Sequence, residues 1–202
     1  MELIFQDITQ TYGPEAESLH TMVQDIESLL NERQLILTSM IVDGSEIYDD
    51  YLQYLEERAG RIKSIQVIAS TRKGFRDQLL ISAEQYLSRA NPALKQMSSE
   101  FYRNPTDGTW VSFEQWSEGY EWIDQLFQGI TEPPEQSAIW AQCQTVFTEI
   151  QPILTELEEA MKRSDYILLG DLFTYEILPR YEQVQAGISK IIDLEVVRND
   201  LN

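Results

Sequence analysis

The stretch LILTSMIVDGSEIY, residues 35–48, predicts a β-hairpin in a chain whose other patterns are mostly helical. Its first eight residues are mainly apolar and rich in β-branched side chains, which is typical of strands. The Asp43-Gly44 pair that follows suits the two central positions of a type I′ turn, because both positions need a positive φ. Ser45 to Tyr48 then form the returning strand, so we predict a hairpin over residues 35–48.

The segment after the hairpin predicts a short helix and a third strand. Asp49 or Asp50 is expected to cap the helix, since short acidic side chains are favoured at that position. In RIKSIQVIAS, residues 61–70, apolar and polar side chains alternate with the period of a strand, which we place at 62–70. ELIF, near the N-terminus, is a further strand candidate. We therefore predict a small antiparallel sheet, made of the hairpin and the strand 62–70, in the N-terminal half.

The rest of the chain has the apolar spacing of three and four residues that is typical of helices. The predicted helices cover about residues 14–33, 71–90, 91–101, 113–130, 133–161 and 165–197. The first is expected to begin near Pro14, and the third at Asn91-Pro92 as an N-cap followed by proline. Pro152 and Pro179 are expected to bend the last two helices. The predicted fold class is mainly α (α+β), with a helical bundle beside the small sheet.

The loop RNPTDGT, residues 103–109, is the clearest candidate boundary in the sequence. We expect an N-terminal α+β half over residues 1–103 and an antiparallel three-helix bundle over residues 110–202, because short loops favour antiparallel neighbours. Two separate domains and one continuous domain both remain compatible with this pattern.

The net charge of −19 is segregated along the sequence. Residues 1–57 contain 13 acidic side chains and one basic one, and residues 104–161 contain 11 acidic side chains and no basic one. Between them, residues 58–103 contain nine basic and three acidic side chains. This balance argues against a nucleic-acid partner, because phosphates require clustered Lys and Arg. The basic segment either packs beside acidic helices of the same chain or faces an acidic partner or anionic ligand.

The composition predicts a soluble, cytoplasmic protein without a cofactor. The longest apolar runs are far shorter than the roughly 20 residues of a membrane-spanning helix, so no membrane association is expected. The N-terminus lacks the basic region of a signal peptide. A lone Cys143 cannot form an internal disulfide, which fits a reducing compartment, and it is expected to be buried and inert. The only histidine, His20, is expected on a helix surface, and no zinc or phosphate-loop motif occurs.

Five carboxylates supply an enzymatic alternative. They are Glu118, Glu121 and Asp124 on one predicted helix and Glu156 and Glu159 on the next. Carboxylates three residues apart point the same way on a helix, so two facing helices could hold Mg²⁺. Glu118-Gly-Tyr-Glu121 resembles half of the paired motif of MazG-type nucleotide pyrophosphohydrolases, which implies a Mg²⁺-dependent all-α hydrolase. The second half is missing, because Leu168 stands where that motif requires a Glu before Asp171.

The function that we expect from the sequence is non-catalytic binding of another protein, as an adaptor or regulatory factor. Segregated charge and surplus aromatic residues favour it, and Trp122, which lies off the apolar stripe of its helix, is the interface candidate. A second alternative is a module for a small anionic ligand. Arg72, Lys73 and Arg76 would grip the anion at the start of a helix, where the helix dipole favours negative charge.

A homodimer is also predicted, because the C-terminal helices carry apolar side chains beyond one stripe, among them Leu126, Ile167 and Ile192. Large apolar patches seldom stay exposed on monomers, and two-fold dimers are the commonest oligomers. Packing against the N-terminal half is the alternative cover for the same side chains.

Overall fold

The computed structural model describes residues 1–13 and 15–196. Contacts divide the chain into two compact units, Met1–Phe75 and Arg76–Asn202. The first unit contains a β-sheet and helices, and the described part of the second is helical. The predicted class, mainly α with an α+β N-terminal part, is confirmed.

The first unit is built on a five-stranded mixed sheet in the order β2-β1-β5-β3-β4. Its elements are β1 Glu2–Phe5, β2 Ile8–Thr11, α1 Ala16–Glu32, β3 Ile36–Val42, β4 Ser45–Ile47, α2 Tyr51–Glu57 and β5 Ser64–Ser70. Strand β1 pairs antiparallel with β2 and parallel with β5, and β3 pairs antiparallel with both β5 and β4. The predicted start of α1 at Pro14 lies outside the described residues.

The hairpin predicted at residues 35–48 is present as β3 and β4. Asp43 and Gly44 both have positive φ, 49° and 88°, as a two-residue type I′ connection requires. The strand predicted at 62–70 is β5. Asp50 occupies the N-cap position of α2, but its backbone is left-handed and its side chain makes no cap hydrogen bond.

The prediction of an antiparallel sheet confined to the hairpin and one strand is only partly right. Strand β1 joins β5 in parallel, with Leu3 opposite Ile65 and Phe5 opposite Val67. All four side chains are buried, so burial of β1 drives this pairing. A four-residue strand is too short to show a clear period, and its partner lies about sixty residues further along the chain.

The second unit is a set of consecutive helices around one core. They are α3 Arg72–Phe101, which begins at the end of the first unit, α4 Asp107–Gly129, α5 Ser137–Thr148, α6 Gln151–Lys162, α7 Tyr166–Asp171, the π-helix Leu172–Ile177 and α8 Leu178–Glu195. The predicted helix start at Asn91-Pro92 is wrong, because α3 continues through Pro92. Buried Leu87 and Leu94 lie on either side of the proline, and the Asn91 side chain donates a 2.6 Å hydrogen bond to Gln185. These contacts hold α3 together across the proline.

The two other prolines mark larger breaks than the predicted bends. Pro152 lies at the start of α6, so the helix predicted at 133–161 is two helices. Pro179 is the second residue of α8, which directly follows the π-helix, and the helix predicted at 165–197 is three segments. The end of that prediction, Val197, lies outside the described residues. The described part of the second unit therefore has more helical segments than the predicted three-helix bundle.

The loop at residues 103–109 does not separate two cores in the structure. Buried side chains of α3, including Leu94 and Phe101, belong to the same cluster as Trp116 of α4 and Phe173 of the π-helix. The Phe101 and Phe173 rings stack at 6.0 Å, and Trp116 meets Phe173 edge-on at 4.8 Å. The helices on both sides of this loop share one aromatic core.

Candidate functional site

Strand β4 forms an open edge of the sheet in the first unit. It pairs with β3, and no strand among residues 1–13 and 15–196 pairs with its other side. In a hairpin with a two-residue turn, the flanking pair Val42–Ser45 is hydrogen-bonded and the pairs alternate beyond it. The backbone N–H and C=O of Glu46 therefore point away from β3, toward the open side.

Two acidic side chains of the hairpin have structural partners. Asp43 accepts hydrogen bonds from the backbone N–H groups of Lys63 and Ser64, at 3.0 and 2.8 Å, and so ties the turn to the start of β5. Glu46 accepts a 2.8 Å hydrogen bond from the hydroxyl of buried Ser39. The remaining acids of this stretch, Asp49 and Asp50, are exposed.

A cleft of about 410 Å³ lies beside the β4 edge. Its lining comes from the end of the hairpin and from α2, and consists of Glu46, Ile47, Tyr48, Asp49, Asp50, Gln53, Tyr54 and Glu57. Two large apolar side chains in this region face solvent, Tyr48 at 67% exposure and Leu52 at 47%. The cleft thus combines four carboxylates with aromatic surface next to free backbone groups.

Hydrogen bonds within the cleft set its ionisation. Those from Ser39 and then Tyr48 lower the pKa of Glu46, so this carboxylate stays charged at neutral pH. The hydrogen bond between Tyr48 and Glu46 also raises the pKa of the Tyr48 hydroxyl, which keeps its proton. Arg58 stacks over the Tyr54 ring at 3.9 Å and pairs with Glu57 at 3.5 Å. The cleft is therefore strongly negative and suits a cationic group.

The three basic residues predicted to grip an anion have different environments. Arg72 and Lys73 are exposed at the start of α3. Arg76 belongs to the second unit and is only 8% exposed. Its guanidinium contacts Asp77 at 2.9 Å, Glu195 at 3.6 Å and the carbonyl oxygen of Pro133 at 3.2 Å. These internal partners occupy Arg76, because a buried cation requires charged partners of its own.

The five carboxylates of the hydrolase alternative do not converge on a metal site. In the part of the chain that the structure describes, no group of three or more His, Cys, Asp or Glu side chains could hold a metal ion. Glu118 and Glu121 are exposed on α4, and Asp124 accepts a hydrogen bond from Gln128 one turn later. On α6, Glu156 is exposed and Glu159 pairs with Arg163. The regular spacing of these carboxylates therefore reflects their positions on the solvent-facing sides of α4 and α6.

Trp122, the interface candidate, is half-buried in the second unit. Its ring meets Tyr86 edge-on at 6.0 Å and packs against the helical core. Leu126 and Ile192, which were expected to need cover, are also buried there, whereas Ile167 is 66% exposed. Packing within the unit therefore covers part of the apolar surface that suggested a dimer, and self-association stays a prediction.

Cys143 and His20, the single cysteine and the single histidine of the sequence, do not line the cleft beside β4. Cys143 is buried in α5, and desolvation raises the pKa of its thiol to about 11. A thiol with so high a pKa is protonated at neutral pH and is a poor nucleophile. His20 is exposed on α1, as predicted.

Sequence patterns missed the open β4 edge. The hairpin itself was predicted. Its position at the end of the sheet depends on β5, which pairs with β1 on one side and with β3 on the other. One usable signal was present, since Tyr48 and Leu52 are large apolar side chains surrounded by Glu46, Asp49 and Asp50.

Among the described residues, no helix is both long enough and apolar enough to span a bilayer. A protein-family model matches residues 78–187, more than half of the chain, and its description is a domain of unknown function (DUF8042). The chain matches no curated protein and no solved structure. The match covers helices of the second unit and does not include the cleft beside β4.

Proposed function

The chain belongs to this family of unknown function, and we propose that it acts as a non-catalytic protein-binding module that takes up a basic, extended segment of a partner protein along β4. The observation that carries the proposal is the open β4 edge, which ends next to the exposed side chain of Tyr48. We also propose a cytoplasmic location, supported by the single buried thiol of Cys143.

Backbone geometry supports the binding mode. An extended peptide can add a strand to an open sheet edge, where main-chain hydrogen bonds give affinity and side-chain pockets give specificity. Ser45–Ile47 offers three residues, or about 10 Å of edge, with the N–H and C=O of Glu46 facing the open side. Tyr48 and Tyr54, which line the cleft, then provide aromatic surface for one or two side chains of the partner.

Charge supports the identity of the partner segment. Glu46, Asp49, Asp50 and Glu57 line the cleft, and of these Glu57 pairs with Arg58. Short edge strands and charged side chains discourage non-specific pairing between edges. A second copy of this acidic edge would be repelled, whereas Lys or Arg side chains of a partner would be attracted.

The proposal can be tested with a fluorescein-labelled peptide of about eight residues in which Lys alternates with Val. We expect fluorescence anisotropy to show saturable binding that weakens at high salt, because surface charges are screened. A peptide with Glu in place of Lys should not bind. The triple variant Asp49→Asn, Asp50→Asn, Glu57→Gln should bind the Lys peptide about tenfold more weakly, since each exposed charge contributes about 0.5 kcal/mol.

A matched control separates this site from general attraction to an acidic protein. Replacing Glu114, Glu118 and Glu121 by Gln removes three exposed carboxylates from α4 and should leave peptide affinity within about twofold. Equal losses in the two triple variants would contradict the proposed site. Glu46→Pro removes the outward N–H and should weaken binding beyond Glu46→Gln, which removes only the charge. Equal affinities of these two variants would rule out strand addition.

A further inference from the structure

The second unit contains a separate cleft of about 260 Å³ between α3 and α4. Three buried side chains, Leu94, Met97 and Trp116, contribute to its apolar lining. Ala90 and Ala93 add only methyl groups, which leaves space where longer side chains would fill the surface. The cleft therefore lies between two helices whose large aromatic side chains contact each other elsewhere, Tyr86 with Trp122 and Phe101 with Trp110.

Polar groups also line this cleft. Ser112 and Gln115 come from α4 and Arg89 comes from α3. Arg89 is exposed, and its Nε donates a 3.2 Å hydrogen bond to the carbonyl oxygen of Gln85. No ion pair of Arg89 occurs among the residues that the structure describes. The terminal nitrogens of its guanidinium are consequently available to a ligand.

We propose that this cleft binds a small amphiphilic monocarboxylate, with its carboxylate at Arg89 and its apolar part against Leu94, Met97 and Trp116. A guanidinium binds a carboxylate through two parallel N–H···O bonds, which favours this anion at a single arginine. Among the other polar lining residues, neutral Gln115 can donate a hydrogen bond to the carboxylate, whereas the Ser112 hydroxyl already donates one to the carbonyl oxygen of Gly108 at 3.1 Å. This site is independent of the proposed peptide-binding edge, because it lies in the other unit.

The volume limits the size of the ligand. A cavity of about 150 Å³ accommodates benzene, with six carbon atoms, so about 260 Å³ accommodates roughly ten non-hydrogen atoms. Octanoate has that size and the required charge. Ligands this small that bury mainly apolar surface bind with dissociation constants on the order of 0.1–1 mM.

Titration of the full-length protein with octanoate, followed by calorimetry and by backbone amide chemical shifts, tests the assignment. We expect saturable binding with the largest shifts in residues 86–97 and 112–116. Octanamide, which has the same chain without the charge, should bind about three- to fivefold more weakly, because an exposed ion pair contributes modestly. Acetate, which has the charge without the chain, should not bind measurably.

Three variants locate the two ends of the ligand. Arg89→Gln should weaken octanoate binding about three- to fivefold and leave octanamide binding unchanged, while Lys95→Gln, an exposed base outside the cleft lining, should change neither. Ala93→Phe should abolish binding of both by filling the gap, and far-UV circular dichroism checks that it folds. Equal octanoate affinity in the wild type and Arg89→Gln would overturn the charge assignment. No octanoate binding at 10 mM, or unchanged binding in folded Ala93→Phe, would overturn the site.

Discussion

Helices α5 and α8 lie close together where Gly187 faces Cys143. This contact predicts that Gly187→Ala changes the free energy of unfolding in opposite directions in the wild type and in a Cys143→Ala background. A Cβ atom on Gly187 would lie 2.2 Å from the Cys143 sulfur and 3.6 Å from Cγ2 of Ile139. The first distance is far below van der Waals contact, and overpacking of this kind costs about 1–3 kcal/mol. Since Ala stabilises a helix by about 1 kcal/mol relative to Gly, Gly187→Ala should lower the free energy of unfolding by up to about 2 kcal/mol.

Removing the sulfur should reverse the effect of the same substitution. In a Cys143→Ala background the new Cβ would meet only the Cβ of residue 143 at 4.0 Å and Ile139 at 3.6 Å, which are ordinary contacts. The helix-propensity gain of about 1 kcal/mol then remains, so Gly187→Ala should stabilise Cys143→Ala. Cys143→Ala alone should lower the free energy of unfolding by about 1 kcal/mol, because it removes a buried sulfur atom. The effect of Gly187→Ala is therefore measured against its own parent protein, the wild type or Cys143→Ala.

Urea unfolding followed by tryptophan fluorescence measures this coupling, because all four tryptophans lie in the second unit. The double-mutant cycle should give a coupling energy of about 1–3 kcal/mol between positions 143 and 187, equal to the overpacking cost that the Cys143→Ala background removes. If Gly187→Ala destabilised both backgrounds, or stabilised both, the close approach of α5 and α8 at these residues would be refuted.

Two further predictions concern buried polar chemistry in the second unit. Arg76→Met should lower the free energy of unfolding by about 3–5 kcal/mol, because it leaves the carboxylates of Asp77 and Glu195 without their buried cation; exposed Arg103→Met, the control, should stay within about 0.5 kcal/mol in the same urea titration. Burial raises the pKa of the Cys143 thiol from 9.0 to about 11, so the stabilisation from its neutral form is complete below pH 9 and is lost as pH rises through 11. The free energy of unfolding of the wild type should therefore fall relative to that of Cys143→Ser between pH 9 and 11. At pH 8 the thiol should react with a thiol reagent only when the protein is unfolded. Rapid reaction of the folded protein would contradict the burial of Cys143.

The sequence predicted elements best where large apolar residues recur at spacings of three and four residues. In α4 the stripe of Trp116, Tyr120, Ile123 and Phe127 is buried as expected. In α3, Leu80 is fully buried, whereas its neighbour Leu79 is only partly buried. The two leucines are adjacent, so spacing alone could not decide which one faces the core.

The candidate sites depend on contacts that local patterns do not contain. Arg76 was expected to bind an anion, and the sequence did not show that Glu195 is its partner. The two residues lie at opposite ends of the second unit in sequence, so no local pattern connects them. The regular spacing of Glu118 and Glu121 suggested a metal cage, but spacing along one helix does not determine which helix faces it. Conversely, Asp43-Gly44 predicted its turn correctly, because the positive φ of both residues is a local requirement.

The sheet of the first unit consists of two sequence-local hairpins, β1–β2 and β3–β4, that are joined only through β5. Each hairpin closes a short loop, whereas β5 must pair with Glu2–Phe5 across about sixty residues, a contact of high sequence separation whose loop-closure entropy slows folding. We therefore expect docking of β5 to form the folding nucleus of this unit. Ile65→Val and Val67→Ala should slow refolding as well as reduce stability, while substitutions at the β1–β2 turn, Gln6-Asp7, should mainly change the unfolding rate.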